Sequence, residues 1–339
     1  MKKYKIIYFG SKISKYKNTK ASMETIEPLL AQFCEIKTFS SKTNKLSKLF
    51  NMVSNFFRYG LYSDKIIIDV FSTSAFYYAF MLSILSFFLN KKYILILRGG
   101  NLPSRFLKNK KLVTFIFKNA KHVVAPSLYL KSFFVDEGFT IRYIPNFIEI
   151  EQYKFKQRNI LEPTILSLRG FDKPYNPIMT LKAINLLKDK HEKIKLLLLG
   201  NKNEYYYKEV LEYIQYNKLE TYVTISNKVS RKEWLELSEN YDIMVSTPII
   251  DNTPVSIIEG MALGMCIVST NVGGVSYLLE DGKDSILVEN NNELELTNAI
   301  ELLLNDNTFS YSLSKNAREK ASNFDWSKIK EEWQNIIAS

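Results

Sequence analysis

Short apolar runs alternate with longer amphipathic stretches along the whole chain, and this alternation predicts an α/β protein. In the first part of the chain, runs bounded by Gly, Pro or Asn predict strands at 4–9, 34–38, 65–70, 93–97, 121–125 and 141–144. Apolar residues at helical spacing predict helices near 20–32, 43–58, 73–89, 104–118 and 127–136. This alternating order is typical of a doubly wound domain built on a parallel sheet.

A second series of strands follows a polar, irregular stretch at 149–163. Its predicted strands are 164–168, 194–200, 222–225, 242–246, 266–269 and 285–288. A length of 339 residues exceeds what one typical core needs and suits two domains. We therefore predict two consecutive α/β domains, 1–155 and 156–325, followed by a final helical segment at 326–339.

The stretch from Val70 to Leu89 holds twenty residues without a charge, which is long enough to cross a membrane. Five serines and threonines lower its hydrophobicity, and it joins the predicted strand 65–70 to the predicted helix 73–89. Another strand follows at 93–97, so the three elements form one βαβ unit. We favour a helix buried against a parallel sheet. A helix that dips into a membrane and a true membrane span are the alternatives.

Composition argues against several kinds of site. The two cysteines, Cys34 and Cys266, indicate neither a disulfide framework nor a cysteine-based metal centre. The two histidines, His122 and His191, make a histidine-rich metal centre an unfavoured hypothesis. The opening residues MKKYKIIYFG enter a strand and do not resemble a secretory signal, so we expect a reducing cytoplasmic setting.

Charge is distributed unevenly along the chain. Residues 1–150 carry 24 Lys and Arg against 8 Asp and Glu, whereas the remainder carries 22 against 27. A basic half favours an anionic partner, either a nucleic acid or a membrane surface. A general enrichment in lysine is the simpler alternative, but it would not leave the second half acidic. Because the aromatic residues come without a recognisable nucleic-acid motif, we favour a membrane surface and expect no nucleic-acid partner.

Functional residues of open α/β domains gather at the carboxyl ends of strands. Gly10 opens a lysine-rich loop after the first predicted strand. The loop contains Lys12, Lys15, Lys17 and Lys20. We favour solvated lysines there, and binding of an anionic acceptor is the alternative. Arg98, Gly99 and Gly100 follow the strand 93–97, where glycines allow close backbone approach. Arg98 can pair with a phosphate but cannot act as a base; an exposed arginine in a turn is the alternative.

The most informative stretch is DNTPVSIIEGMALGMCIVSTNVGGVSYLLEDG, from Asp251 to Gly282. Thr253 is a suitable N-cap and Pro254 a suitable first residue for a helix that runs to about Leu263 and ends at Gly264. Asp251 precedes this helix and Glu259 lies within it, so the two carboxylates suit a hydroxyl-rich ligand whose phosphates meet the helix N-terminus. The alternative is a helix and a buried strand with two surface acids.

This stretch resembles the donor-site signature of the retaining glycosyltransferases of family 4, among the glycosyl transferases group 1. In that family an acid, seven residues and a Glu precede a small-residue helix, a Gly, a short apolar strand and a Gly-Gly loop, and every part occurs here in order. The first acid is usually Glu, and here it is Asp251. The resemblance implies two facing Rossmann-like domains, known as the GT-B fold, with a C-terminal helix that crosses back to the first domain.

The resemblance also implies roles for particular residues. The implied catalytic residues are Asp251, which binds sugar hydroxyls, and the diphosphate-binding Arg169 and Lys173. The family's usual lysine position falls at Tyr175, which leaves Lys173 as the candidate substitute. The implied donor-binding residues are Glu259, on the ribose, with Asn252, Thr253, Pro254, Val255, Gly273 and Gly274. The implied residues of the acceptor side or cleft are Gly10, Gly99, Gly100 and Arg98, where family members often carry His.

The function implied is transfer of a sugar, with retention, from a nucleotide-diphosphate sugar to a saccharide or lipid-linked saccharide. We expect a role in cell-surface polysaccharide biosynthesis, no cofactor and no bound metal. We expect a cytoplasmic protein whose basic first domain makes peripheral contact with the inner face of the cell membrane. A nucleotide-sugar 2-epimerase of the same fold and a catalytically silent membrane-associated scaffold are the alternatives.

Overall fold

The computed structural model of the chain describes residues 3–12, 21–200, 204–227 and 229–339. The chain divides into two compact units. Unit 1 comprises Met1–Asn146 together with Ile329–Ser339, and unit 2 comprises Phe147–Lys328. Three lysines of the predicted lysine-rich loop, Lys15, Lys17 and Lys20, lie outside the described residues.

Unit 1 is built on a six-stranded sheet in the order β2-β1-β3-β4-β5-β6, with every neighbouring pair parallel. Its strands are β1 (Tyr4–Phe9), β2 (Cys34–Phe39), β3 (Lys65–Val70), β4 (Tyr93–Leu97), β5 (His122–Ala125) and β6 (Arg142–Tyr143). Its helices are α1 (Ser22–Leu30), α2 (Lys45–Tyr59), α3 (Phe76–Phe88), α4 (Leu102–Lys108), α5 (Lys110–Lys118) and α6 (Leu128–Asp136). The strand order reverses between β1 and β3, which makes their carboxyl ends the topological switch point of this sheet.

The charge-free stretch 70–89 is confirmed as part of a βαβ unit. Strands β3 and β4 pair in parallel, and α3 buries Phe76, Ala79 and Leu82 on one side while Phe88 stays 76% exposed. The hydroxyl of Ser86 donates to a backbone carbonyl one turn earlier, which satisfies it inside the helix. Within the described ranges, no helix has the length and the apolar character that a membrane crossing requires.

The prediction of one helix over 104–118 was wrong, because two helices, α4 and α5, meet there. Asn109 separates them with φ −134° and ψ 43°, outside the helical region, and its amide donates back to the carbonyls of Arg105 and Phe106. Asparagine forms competing local hydrogen bonds and is a weak helix former, which suits it to this break.

Unit 2 is built on a second six-stranded parallel sheet in the order β12-β11-β10-β7-β8-β9. Its strands are β7 (Thr164–Ser167), β8 (Lys195–Gly200), β9 (Val223–Asn227), β10 (Ile243–Ser246), β11 (Cys266–Thr270) and β12 (Ile286–Val288). Its helices are α7 (Pro177–Leu187), α8 (Glu204–Tyr216), α9 (Arg231–Ser238), α10 (Val255–Ala262), α11 (Val275–Leu278), α12 (Glu293–Asn305) and α13 (Asn307–Ala321). The last helix, α14 (Trp326–Ala338), begins in unit 2 and continues into the residues that belong to unit 1.

The strand order of unit 2 is that of dinucleotide-binding domains. Counted from β7, the order of the strands in the sheet is 6-5-4-1-2-3, and it reverses between β7 and β10. These two strands are direct neighbours, with Ile243 opposite Ile165. The crevice beyond their carboxyl ends is where a ligand of such a sheet is expected to bind.

Two buried polar side chains help to attach the stretch 149–163 to unit 2. Tyr153 is 1% exposed, and Arg158 is 3% exposed with its guanidinium bonded to Asp242 and to backbone carbonyls. A polar composition therefore concealed two of the residues that attach this stretch to the domain.

Candidate active site

Two of the residues singled out in the sequence meet at the switch point of unit 2. Arg169 follows β7, and Asp251 follows the end of β10, the strand that pairs with β7. Nη2 of Arg169 donates to Oδ2 of Asp251, and the second carboxylate oxygen accepts from the amide of Asn252 at 2.8 Å. The side chains of Arg169 and Asp251 are 23% and 16% exposed, so the ion pair remains accessible to a ligand.

The environment of Arg169 suits an anion-binding cation. Its guanidinium carbon lies 4.9 Å from the centroid of the Tyr175 ring. Burial lowers the pKa of Arg169, while the charges of Tyr175 and Glu259 act in the opposite direction. An arginine keeps its proton in a protein, so the group is a cation with several donors in a planar fork. In the described part of the chain, its Nε is buried and has no hydrogen-bond partner.

The aromatic residue at 175, rather than the lysine at 173, contacts Arg169. Lys173 is exposed on the single turn Lys173–Tyr175 that precedes α7. Its assignment as the second phosphate-binding cation therefore stays a prediction.

The start of α10 differs by one residue from its prediction. The helix begins at Val255, and Pro254 is the N-cap, with φ −70° and ψ 109° and no side-chain cap bond. Thr253 as N-cap and Pro254 as first helical residue were therefore wrong, because Pro254 keeps the extended backbone that leads into the helix. Asn252 and Thr253 are 7% and 8% exposed. The predicted end is confirmed, since Gly264 follows the last turn with φ +75°.

Glu259 lies in a cluster that sequence reasoning missed. Its Oε1 accepts from the hydroxyl of Tyr153 at 2.6 Å, and that hydroxyl accepts from Nη2 of Arg231 at 2.5 Å. Burial raises the pKa of Glu259, whereas Tyr153, Arg231, Arg169 and Trp234 lower it. One signal for this cluster was present, because Tyr153 is one of two aromatic residues, with Phe155, in the polar stretch 149–163.

The Gly-Gly turn packs directly against the segment that holds Asp251. A Cβ on Gly274 would lie 1.5 Å from the backbone oxygen of Asn252, and one on Gly273 would lie 2.4 Å from that of Asp251. Gly273 also has φ +51°, and the amide of Gly274 donates to the Asp251 carbonyl at 2.9 Å. Internal packing thus explains both glycines, and their contact with a donor stays a prediction.

In unit 1, Arg98 lies in a buried polar cluster at the switch point. Its Nε donates to Oδ1 of Asp69 at 3.0 Å, Nη2 to the Tyr8 hydroxyl at 3.0 Å and Nη1 to Oδ1 of Asn146 at 3.3 Å. The Arg98 side chain is 10% exposed, so the alternative of an exposed arginine in a turn was wrong. The reason is the buried carboxylate of Asp69, which requires a cation beside it.

The glycines predicted near this cluster also face the protein itself. A Cβ on Gly10 would lie 2.6 Å from Oδ2 of Asp69, and one on Gly99 would lie 2.6 Å from the Ser72 amide nitrogen. Gly100 continues the same turn into α4. Lys12, the described lysine of the following loop, pairs with Glu27 at 3.0 Å. Acceptor binding by these residues stays a prediction.

Across the described ranges, no group of three His, Cys, Asp or Glu side chains could hold a metal ion. Unit 2 is thus a doubly wound α/β domain with an accessible guanidinium and a carboxylate at its switch point, the place where ligands of such sheets bind.

The comparisons with known proteins give the family. The family described as "Glycosyl transferases group 1" matches residues 149–320, just over half of the chain, and the chain belongs to it. One relative is the GalNAc-α-(1→4)-GalNAc-α-(1→3)-diNAcBac-PP-undecaprenol α-1,4-N-acetyl-D-galactosaminyltransferase of Campylobacter jejuni, 30% identical over 179 residues. That match covers 52% of this chain and 48% of the relative, so the chain spans about half the length of the Campylobacter jejuni protein.

A second Campylobacter jejuni relative is the N,N'-diacetylbacillosaminyl-diphospho-undecaprenol α-1,3-N-acetylgalactosaminyltransferase. It is 31% identical over 109 residues, which cover 32% of this chain and 27% of the relative.

Solved structures agree over the whole chain in fold. The Anabaena HepE protein in complex with UDP and glucose matches with a TM-score of 0.79 and 18% identity, covering 99% of both chains. Sucrose-phosphate synthase from Thermosynechococcus elongatus matches with a TM-score of 0.78 and 14% identity, covering 99% of this chain and 100% of the other. At such identities the likeness shows the fold alone. The prediction of the GT-B fold is confirmed.

Proposed function

We propose that the protein transfers a sugar from a nucleotide-diphosphate sugar to a saccharide or lipid-linked saccharide, with retention at the anomeric carbon. The observation that carries this proposal is the ion pair between Arg169 and Asp251 at the switch point of unit 2. Asp251 lies on the segment that leads into α10, the helix that contains Glu259. Family membership of residues 149–320 supports it, because this range contains all three residues.

The Arg169–Asp251 ion pair can rearrange when the donor binds. A diphosphate carries more negative charge than one carboxylate and offers oxygens that match a planar guanidinium bidentately. On donor binding, Arg169 transfers its bonds from Asp251 to the diphosphate. The Asp251 carboxylate then accepts hydrogen bonds from hydroxyls of the sugar.

The same cation stabilises the departing diphosphate. Negative charge accumulates on the phosphate oxygens as the bond to the sugar breaks, and a preorganised donor beside them lowers the barrier. The backbone amides at the N-terminus of α10 contribute a partial positive charge that favours the diphosphate. Lys173 is the candidate second cation. Retention and the absence of a metal from the reaction rest on the resemblance to family 4.

Glu259 is proposed to bind the ribose of the donor nucleotide. A carboxylate accepts from both hydroxyls of a vicinal diol, which a neutral side chain of similar size does less well. The position of Glu259 on α10, whose first turn follows the Asp251 segment, suits a donor that extends from sugar to nucleoside along this helix.

The acceptor is proposed to contact unit 1 and to be lipid-linked, as the names of both Campylobacter relatives suggest. Two large apolar side chains of α2, Leu46 and Phe50, are 78% and 76% exposed one turn apart, and Phe88 at the end of α3 is 76% exposed. Exposed apolar groups on a lysine-rich unit suit peripheral contact with an anionic membrane. The setting we propose is the inner face of the cell membrane, in polysaccharide biosynthesis.

Incubation of the purified protein with a panel of UDP-, GDP- and TDP-sugars tests the activity. Slow release of nucleotide from one donor, increased by a lipid-linked saccharide, is the expected result. Interconversion of the free sugar nucleotide would instead indicate an epimerase. Failure of every nucleotide to bind would indicate a scaffold.

Sedimentation with vesicles of anionic lipid tests the membrane contact. Binding should fall as salt rises, since salt screens surface charge, and Leu46→Ser with Phe50→Ser should weaken it further. If neither salt nor these substitutions changed vesicle binding, insertion of the 73–89 region would be favoured instead.

A further inference from the structure

Glu259 stands at the end of a directed chain of hydrogen bonds within unit 2. The Arg231 guanidinium donates to the Tyr153 hydroxyl, and that hydroxyl donates to Glu259. An arginine can only donate, and a tyrosine hydroxyl has a single proton. The proton of Tyr153 must therefore point at Oε1 of Glu259, which holds the carboxyl group as an acceptor.

Tyr153 is connected to α10 through both its side chain and its backbone. Its side chain reaches Glu259 in the middle of α10, and its backbone carbonyl accepts from Nη1 of Arg318 at 3.0 Å. The same nitrogen donates to the carbonyl of Ala262, the last residue of α10, at 2.5 Å. Because Tyr153 is 1% exposed as well, its hydroxyl has little freedom to leave Glu259.

The polar neighbours of Glu259 counteract the effect of its burial on protonation. Burial raises the pKa of Glu259, and the groups that face it and lower it are Tyr153, Arg231, Arg169 and Trp234. Without them, burial alone would favour the neutral acid, which accepts less strongly than the carboxylate.

We infer that Tyr153, with Arg231 behind it, is a positioning residue that aims the Glu259 carboxylate at the vicinal hydroxyls of a ribose. The inference rests on the proposed function and deepens it. A tyrosine outside the 251–282 segment would thereby set the preference for a ribonucleoside diphosphate over its 2′-deoxy analogue.

Calorimetric binding to the full-length protein tests this inference. The probes are UDP, GDP, 2′-deoxy-UDP, 2′-deoxy-GDP and TDP, measured from pH 5 to 8 on wild type, Tyr153→Phe and Arg231→Gln. Tyr153→Phe should weaken the ribonucleotide about tenfold and the deoxy analogue less, because the lost bond acts through a charged acceptor on the ribose. Its binding should also fail at a higher pH than that of wild type. Arg231→Gln should change both readouts in the same direction.

Tyr93→Phe is the matched control. Tyr93 is also 1% exposed and its hydroxyl donates to a backbone carbonyl, that of Ile116, at 2.8 Å within unit 1. This variant loses a buried tyrosine hydrogen bond without touching Glu259. We expect it to leave affinity, the ribo-to-deoxy ratio and the pH profile unchanged.

The outcomes separate the inference from the function on which it rests. Failure of wild type to bind any nucleoside diphosphate would overturn the proposed function and this inference with it. Normal binding by wild type with equal ratios and pH profiles in Tyr153→Phe and Tyr93→Phe would overturn the inference alone. Equal weakening of the ribo and deoxy forms would assign Tyr153 a purely structural role, and binding of TDP alone would also overturn the inference. If Tyr153→Phe does not fold, Arg231→Gln decides by the same readouts.

Discussion

Replacing Arg158 by methionine should destabilise unit 2 more than any single surface change. The guanidinium lies inside the domain, with a side-chain exposure of 1%, beside the carboxylate of Asp242 at 6%. Its Nε donates to Asp242 at 2.9 Å, its Nη1 to the carbonyl of Leu263 at 2.8 Å and its Nη2 to that of Tyr241 at 2.9 Å. Removing it leaves a buried carboxylate short of its main partner and takes the guanidinium donors from two carbonyls, of which that of Leu263 keeps the Lys156 amide at 3.2 Å.

The expected loss follows from these contacts. Breaking a buried ion pair by deleting one partner costs about 3–5 kcal/mol, because the remaining charge is uncompensated. The amide of Glu162 and the Lys156 ammonium still contact Asp242, at 2.9 and 3.0 Å, so we expect the lower half of that range. This is a large fraction of the roughly 5–15 kcal/mol by which domains are stable.

Lys156→Met is the matched control, since it removes the other cation from the same carboxylate. Lys156 is 45% exposed, and an exposed ion pair contributes about 0–1 kcal/mol. Urea unfolding followed by circular dichroism and tryptophan fluorescence gives the free energy of unfolding of both variants. A third variant, Arg158→Met with Asp242→Asn, should regain part of the loss because the orphaned charge is gone. Equal stability of Arg158→Met and Lys156→Met would refute the reasoning.

Three further predictions concern the donor segment and pH. Glu259→Ala should weaken nucleotide binding by about 1.5–3 kcal/mol, the contribution of a hydrogen bond to a charged group, and unchanged affinity in calorimetry would contradict that role. Gly274→Ala should weaken nucleotide binding in the same assay, because its Cβ would meet the Asn252 oxygen at 1.5 Å; Gly60→Ala, with its nearest contact at 3.4 Å, is the control. Burial and nearby cations lower the pKa of His122 from about 6.5 to about 4. Between these two pH values, His122 is protonated in the unfolded chain but not in the folded chain. Stability should therefore fall as pH falls through this window, and His122→Asn should reduce that slope in urea unfolding at pH 7, 5 and 4.

Local patterns were strong enough to predict the elements of both sheets. The run Ile66-Ile67-Ile68 and the run 196–199 are buried on both faces of their strands, so they are apolar without alternation. Errors occurred where a single residue decides the geometry. Asn109 ends one helix and begins another, and Pro254 remains extended instead of opening α10. At both places the local propensities of neighbouring residues are too similar to locate the boundary.

The candidate site divides in the same way. Asp251, Glu259 and Arg169 could be singled out because a continuous segment and a strand end carry the resemblance. Tyr153 could not, because it comes from a polar stretch 106 residues before Glu259 and acts through a single hydroxyl. The buried state of Arg98 was equally hidden, since its partners Tyr8 and Asp69 stand on other strands.

The amino-acid sequence by itself determined the alternation of strands and helices, the two α/β domains and the family resemblance, because these depend on residues that are neighbours in the chain. The tertiary structure alone decided which charges meet. It placed Arg169 against Asp251 across the switch point, Arg231 behind Tyr153 and Glu259, and Arg98 against a buried aspartate. Parallel strands bring residues far apart in sequence to one edge of a sheet, and the low exposure at that edge gives their pairing its energetic weight.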